Sequence, residues 1–226
     1  MFIISIILCY TGYKLKKINV KKKISICIIV FCFIQEILDY LNRIFFDELY
    51  NISIAVDLPL QLCSIGFYLS IFAIMMVVSS LRFNKKFEQF IFDCTYVLGF
   101  GGALQALIAV DLTGINNMIG IFSLNWAHSL IILNVLWLIF AYNKKFNLYS
   151  IWNAFLFLNF LILPIGFINY LLDANYMFLC FPPNVESSFF IGEWPYYLLY
   201  LEVIYFIYIL FLYLPFFISE KLNNKI

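Results

Sequence analysis

A single histidine, His128, limits the chemistry open to this 226-residue chain. One imidazole excludes a multi-histidine metal centre, and the six cysteines are dispersed without metal-ligand spacing. There is no glycine-rich phosphate loop and no serine in a nucleophile-elbow pattern, so no cofactor is expected. What remains is a Cys or Ser nucleophile with His128 as its base. A thiol must become thiolate to attack an acyl carbon; an imidazole at hydrogen-bonding distance accepts the proton, and a carboxylate such as Glu202 could orient the ring. Asn125, His128 and Ser129 stand at i, i+3 and i+4 and share one helical face. Cys63, Gly66, Phe67 and Ser70 form a second stripe of mostly small residues, the kind that faces other helices. Cys63 is one candidate for the nucleophile. It also reads as a small packing residue, as do Cys9, Cys27, Cys32 and Cys94, and in an oxidising compartment a Cys63–Cys180 disulfide competes.

Composition sets the elements that must position these groups. With 65% apolar and 12% charged residues, the chain has too little polar surface to solvate a globule, so lipid is its solvent. Lipid requires each spanning segment to satisfy its own backbone, and the apolar runs lack the alternation of outer-membrane strands. The fold class is all-α: one domain, a polytopic seven-helix bundle. A net charge of +1 argues against a nucleic-acid partner. The expected spans are roughly 1–13, 24–41, 57–81, 87–110, 121–142, 148–172 and 194–218. Most are long enough for about 30 Å of hydrocarbon. The first, at roughly 20 Å, needs a thinned bilayer or an upstream start; its lysines follow the apolar run, which is not the order of a signal peptide.

Thirteen of the 14 basic residues fall in alternate connections: Lys14 to Lys23, Arg82 to Lys86, Lys144 and Lys145, and Lys221 and Lys225, with Arg43 alone opposite. The positive-inside rule then places the N-terminus outside and the C-terminus inside a cell membrane. Asp47, Glu48, Asp111, Asp173, Glu186 and Glu193 fall on the outer side. The longest outer connection, from about Asp173 to Glu193, carries Pro182 and Pro183 and suits a lid.

Polar groups within the spans cluster in depth. Glu36, Asp39, Gln61, Cys63, Gln105, Asn125, His128, Asn169 and Glu202 all count to roughly 5–12 Å below the outer boundary at about 1.5 Å per residue, with Asn175 in the loop above. Ionisable groups in hydrocarbon are expensive and face the bundle interior, so a polar pocket in the outer leaflet is expected. Gln35, Asp39 and Asn42 line up, and an Arg43–Asp39 ion pair is expected at the interface.

Three stretches together resemble a known family: Asp57-Leu-Pro-Leu-Gln-Leu-Cys63-Ser64, Asn125-Trp-Ala-His128-Ser129, and Asn175-Tyr-Met-Phe-Leu179 followed by Pro182-Pro183 and Gly192-Glu-Trp-Pro-Tyr-Tyr197. They resemble the YwaF-type bacterial membrane proteins, which belong with the transmembrane protein 164 family, over nearly the whole chain. Animal members are regarded as phospholipid acyltransferases using a Cys and a His; the more distantly similar androgen-induced-gene type proteins are hydrolases using a Thr and a His. The resemblance implies a catalytic role for His128. In the animal proteins the thiol directly follows the proline and precedes a His; here Leu60 follows Pro59, Gln61 takes the His position, and Cys63 lies one turn further along the same face. The expectation is a lipid acyltransferase or hydrolase acting on membrane lipid. The alternative is a non-enzymatic ligand-binding protein or small-solute transporter whose polar pocket uses Glu36, Asp39, Glu202 and His128.

Overall fold

The computed structural model describes residues 2–108, 110, 112, 114–183 and 190–223. Among them the chain is helical, with no strand: α1 (Phe2–Lys14), α2 (Ile18–Leu41), α3 (Leu62–Val78), α4 (Lys85–Leu98), α5 (Gln105–Ile108), α6 (Met118–Tyr142), α7 (Leu148–Leu172) and α8 (Tyr196–Asn223). Four stretches are long and apolar enough to cross a membrane: Ile18–Phe46, Met118–Tyr142, Leu148–Leu172 and Tyr196–Leu222. α3 is apolar but shorter, at 17 residues. The chain is an integral, multi-pass membrane protein. Asp111, Glu186 and Lys225, assigned above to connections, lie outside the described residues.

Asparagine side chains start the helices. Asn84, Asn117 and Asn147 each accept from a backbone N–H of the turn that follows, and Asn147 with Ser150 forms a full capping box. Two helices differ from the sequence expectation. The third span does not begin at Asp57: Pro59 disfavours helical geometry at Leu58, and helix starts only at Leu62. The fourth is not one regular helix. α4 stops at Leu98 and continues as a π-helical turn over Gly99–Leu104, where Gly99, Gly101 and Gly102 give little support to α geometry. A second π-helical turn, Asn42–Phe46, extends α2.

The chain divides into two compact units. The first, Met1–Ile52 and Cys63–Lys144, is built around α6, which packs against α1, α2 and the glycine-rich turn. Polar contacts set the α2–α6 register from end to end. Lys21 Nζ donates to the Ala141 carbonyl, Trp137 Nε1 to Ser25 Oγ (2.8 Å), and Asn117 Nδ2 to Asn42 Oδ1 (3.1 Å). The second unit, Ser53–Leu62 and Lys145–Ile226, pairs α7 with α8 through Asn159 and Glu202 and through Trp152, Phe155 and Phe206.

Candidate functional site

His128 sits in the middle of α6, 6% exposed, on the face that also carries Ile131 and Val135 at i+3 and i+7. Its Nδ1 lies 2.7 Å from the Leu124 carbonyl. A carbonyl only accepts, so Nδ1 carries the proton, and in the neutral form of the ring Nε2 is then the lone-pair acceptor. The group that orients the imidazole is thus its own helix backbone. Cys63, in the first turn of α3, is half-buried and a free thiol; Cys180 is also a free thiol.

Close contacts along the helices register these two residues. α3 runs antiparallel to α4 and its π-helical extension, with Gly66 against Leu98 and Gly102 against the Cys63 backbone; a Cβ on Gly102 would lie 3.6–3.9 Å from Cys63 N, Cα and Cβ. The same extension runs antiparallel to α6, with Glu88 ion-paired to Lys144 (3.1 Å) and Gly99 against Val135 and Ile131. Following that register, Gly102 falls level with about Leu130. Independently, Asn134 Nδ2 donates to Ser70 Oγ (2.8 Å); counting back the seven residues from Ser70 to Cys63 leads to about Ala127. Cys63 and His128 therefore share a level to within roughly 3 Å along the helix axis. The glycine-rich turn packs on α3 through Gly102 and on α6 through Gly99. Among the described residues no hydrogen bond joins Cys63 to His128.

The remaining polar residues make hydrogen bonds within each of the two units. Glu36 accepts from the Tyr68 hydroxyl of α3. Asp39 pairs with Arg43 (2.8 Å), as the spacing indicated, and also accepts from Ser123 Oγ (2.7 Å), which in turn accepts from Gln35 Nε2 (3.3 Å). Asn125 spends one amide hydrogen on the Ile121 carbonyl (2.8 Å). In the second unit, Gln61 Oε1 accepts from Met177 N (3.0 Å), and Asn169 brackets the Tyr176 backbone, accepting from its N–H (2.8 Å) and donating to its carbonyl (2.9 Å). Asn175 Oδ1 accepts from Cys180 N (3.0 Å) and Phe181 N (3.3 Å), while Glu202 accepts from Asn159. Tyr176 completes this loop by accepting from Leu58 N (2.9 Å) and donating to the Ile54 carbonyl (2.7 Å). Burial pushes the Tyr176 phenol above its ordinary value, with Asp57 adding to the effect and the Leu58 bond opposing it. Gln61, Asn169 and Asn175 thus shape a loop. The side chain of Gln105 lies outside the described residues.

Several residues were missed by reading depth alone. Asn134, wholly buried, joins Ser70 and Cys32 at the centre of the first unit. Gln35, singled out in the sequence only for its line with Asp39 and Asn42, is 2% exposed, and its Oε1 has no partner among the described residues. Asp93 is fully buried in α4 and accepts from Gln89 Nε2 (2.7 Å). Each is a polar residue inside an apolar run, which is the available signal. Among the described residues, no group of three or more His, Cys, Asp or Glu side chains could hold a metal ion.

No curated protein and no solved structure matches the chain. The model of the TMEM164 family matches residues 1–213, nearly the whole length of a helical membrane protein, and the chain belongs to that family.

Proposed function

We propose that this chain is a lipid-directed acyltransferase or hydrolase in which Cys63 is the nucleophile and His128 the base. The observation that carries the reading is the preset imidazole: Nδ1–H is held on the Leu124 carbonyl and Nε2 is free to accept a proton at the level of a free thiol. On this reading Nε2 takes the proton from the Cys63 thiol and the sulfur adds to the carbonyl carbon of an acyl ester. The tetrahedral adduct collapses with cleavage of the carbon–oxygen bond, and the proton passes from Nε2 to the departing alkoxide, leaving a thioester on Cys63. An acceptor hydroxyl, or water, then gives its proton to Nε2 and attacks the thioester, and the thiol is restored. The second amide hydrogen of Asn125, one turn before His128, is the donor offered to the oxyanion. Catalytic hydrogen bonds commonly tighten only in the Michaelis complex, and the reading requires Cys63 Sγ and His128 Nε2 to close in this way.

The test is acyl transfer by the purified full-length chain in phospholipid vesicles carrying a fluorescent acyl chain. His128→Ala and Cys63→Ala are each expected to lower the rate about 10²-fold or more. Full activity in either variant rejects the assignment of that residue.

A second reading, a non-enzymatic ligand-binding protein, is favoured by Gln35, whose buried Oε1 lacks a donor among the described residues, beside the Asp39–Ser123 pair. It predicts that Gln35→Leu abolishes ligand binding.

A further inference from the structure

The C-terminal ends of α1 and α6 enclose a groove of about 330 Å³ lined by Cys9, Tyr10, Tyr13, Leu136 and Phe140. Its wall exists because Gly12 lets α1 approach α6: a Cβ there would stand 2.7 Å from the Trp137 ring. At the end of the groove the Lys14 ammonium lies 5.7 Å from the Tyr10 ring centre and 5.9 Å from that of Tyr13, both lining residues. Lys14 opens the densest charge cluster in the chain, continuing through Lys16, Lys17, Lys21, Lys22 and Lys23 without an acidic residue. Lys21 ties this cluster to the groove, because its Nζ donates to the carbonyl of Ala141, next to Phe140. Lys14, Lys16, Lys17 and Lys23 are exposed.

We infer that this groove binds one anionic phospholipid from the leaflet on the lysine side, its acyl chain between α1 and α6 and its phosphate on Lys14 with Lys16 and Lys17. Two features select this occupant. The groove is apolar and lies on a face that lipid already bathes, so burying an acyl chain gains shape complementarity but no discrimination between lipids. Discrimination falls to the lysines, a uniformly positive rim that favours a net negative headgroup over a zwitterionic one. The tyrosines suit the boundary between the two, with ring in the apolar zone and hydroxyl at headgroup depth. This site is separate from Cys63 and His128, and does not depend on any catalytic role for them.

The experiment reconstitutes the full-length chain in bilayers of phosphatidylcholine with phosphatidylglycerol and counts the lipids retained by native mass spectrometry. One phosphatidylglycerol is expected to be retained at least tenfold in preference to phosphatidylcholine. Lys14→Gln combined with Lys16→Gln and Lys17→Gln should abolish the preference, whereas Lys14→Arg should keep it. Leu136→Trp, which fills the groove, and Phe140→Ala, a change at an exposed position that removes one wall, should each release the lipid with every lysine in place. Equal retention of both lipids, or a preference that survives the triple lysine variant, overturns the inference. So does retention unchanged in Phe140→Ala, which would mean that the lysines attract a diffuse layer of anionic lipid and that the groove holds none.

Discussion

Asn134 shows how much one amide can organise inside a bilayer. It is wholly buried, donates to Ser70 Oγ at 2.8 Å and to Cys32 Sγ at 3.5 Å, and so joins α6 to both α3 and α2. Lipid offers no hydrophobic drive between helices, so such interhelical bonds carry part of their association, each at about 0.6–1.7 kcal/mol. Asn134→Leu should therefore lower unfolding free energy in mixed micelles by about 1 kcal/mol. Ser70→Ala should cost less, and the double variant should show coupling, since both remove the same bond. Because that bond sets the α3–α6 register, Asn134→Leu should also change the rate at which a thiol reagent reaches Cys63; an unchanged rate would separate the register from the bond. Counting residues from a span boundary gives depth but not azimuth. Depth alone grouped Asn125 with Gln61 and Asn169, yet the first caps its own helix backbone and the other two organise a loop. Asn134, six residues deeper than His128, fell below the layer being read.

At the scale of elements, the glycine-rich π-helical turn decides how close the helices come. A Cβ on Gly99 would stand 2.7 Å from Val135 Cγ2, so Gly99→Ala should cost about 1–3 kcal/mol and Val135→Ala should recover much of it, as read by thermal unfolding. Gly102 differs. A Cβ there meets Cys63 at ordinary contact distance, so Gly102→Ala should be tolerated, whereas Gly102→Leu should displace Cys63 and alter its thiol reactivity. Hydropathy suggested a span over 87–110, but among the described residues this segment is not one of the stretches long and apolar enough to cross a membrane. Hydropathy could not announce a π-helical turn, because the widened register depends on what packs against the glycines. The start of α3 is similar: Pro59 marks an irregular stretch, but only tertiary contact reveals that Tyr176 holds it, through Leu58 N and the Ile54 carbonyl. Tyr176→Phe should loosen the loop by about 1–3 kcal/mol, seen as faster proteolysis near Phe181. With the phenol held above its ordinary 10.0, its contribution is complete below that pH and is lost as pH rises through the elevated value.

For the whole molecule, composition and charge spacing carried the most information, because lipid forces long apolar helices and keeps most basic charge at or near their ends. The bounds expected for the fifth and sixth spans lie within three residues of α6 and α7. Lys14 to Lys23, Arg82 to Lys86, Lys144 with Lys145, and Lys221 fall in or beside alternate connections along the sequence, and Arg43, paired with Asp39, falls beside another. Basic residues in short connections resist translocation, so the lysine side is predicted to be cytoplasmic and the loop carrying Cys180 to face outward. Cys180 is a built-in reporter, since it is a free and exposed thiol outside the helices. A membrane-impermeant maleimide added to intact cells should label the wild-type chain and fail on Cys180→Ser. In that background Lys16→Cys should be labelled only after permeabilisation, whereas Leu49→Cys, 76% exposed in the connection that follows Arg43, should be labelled without it. The opposite pattern would invert the chain and move His128 and Cys63 to the cytoplasmic half of the bilayer.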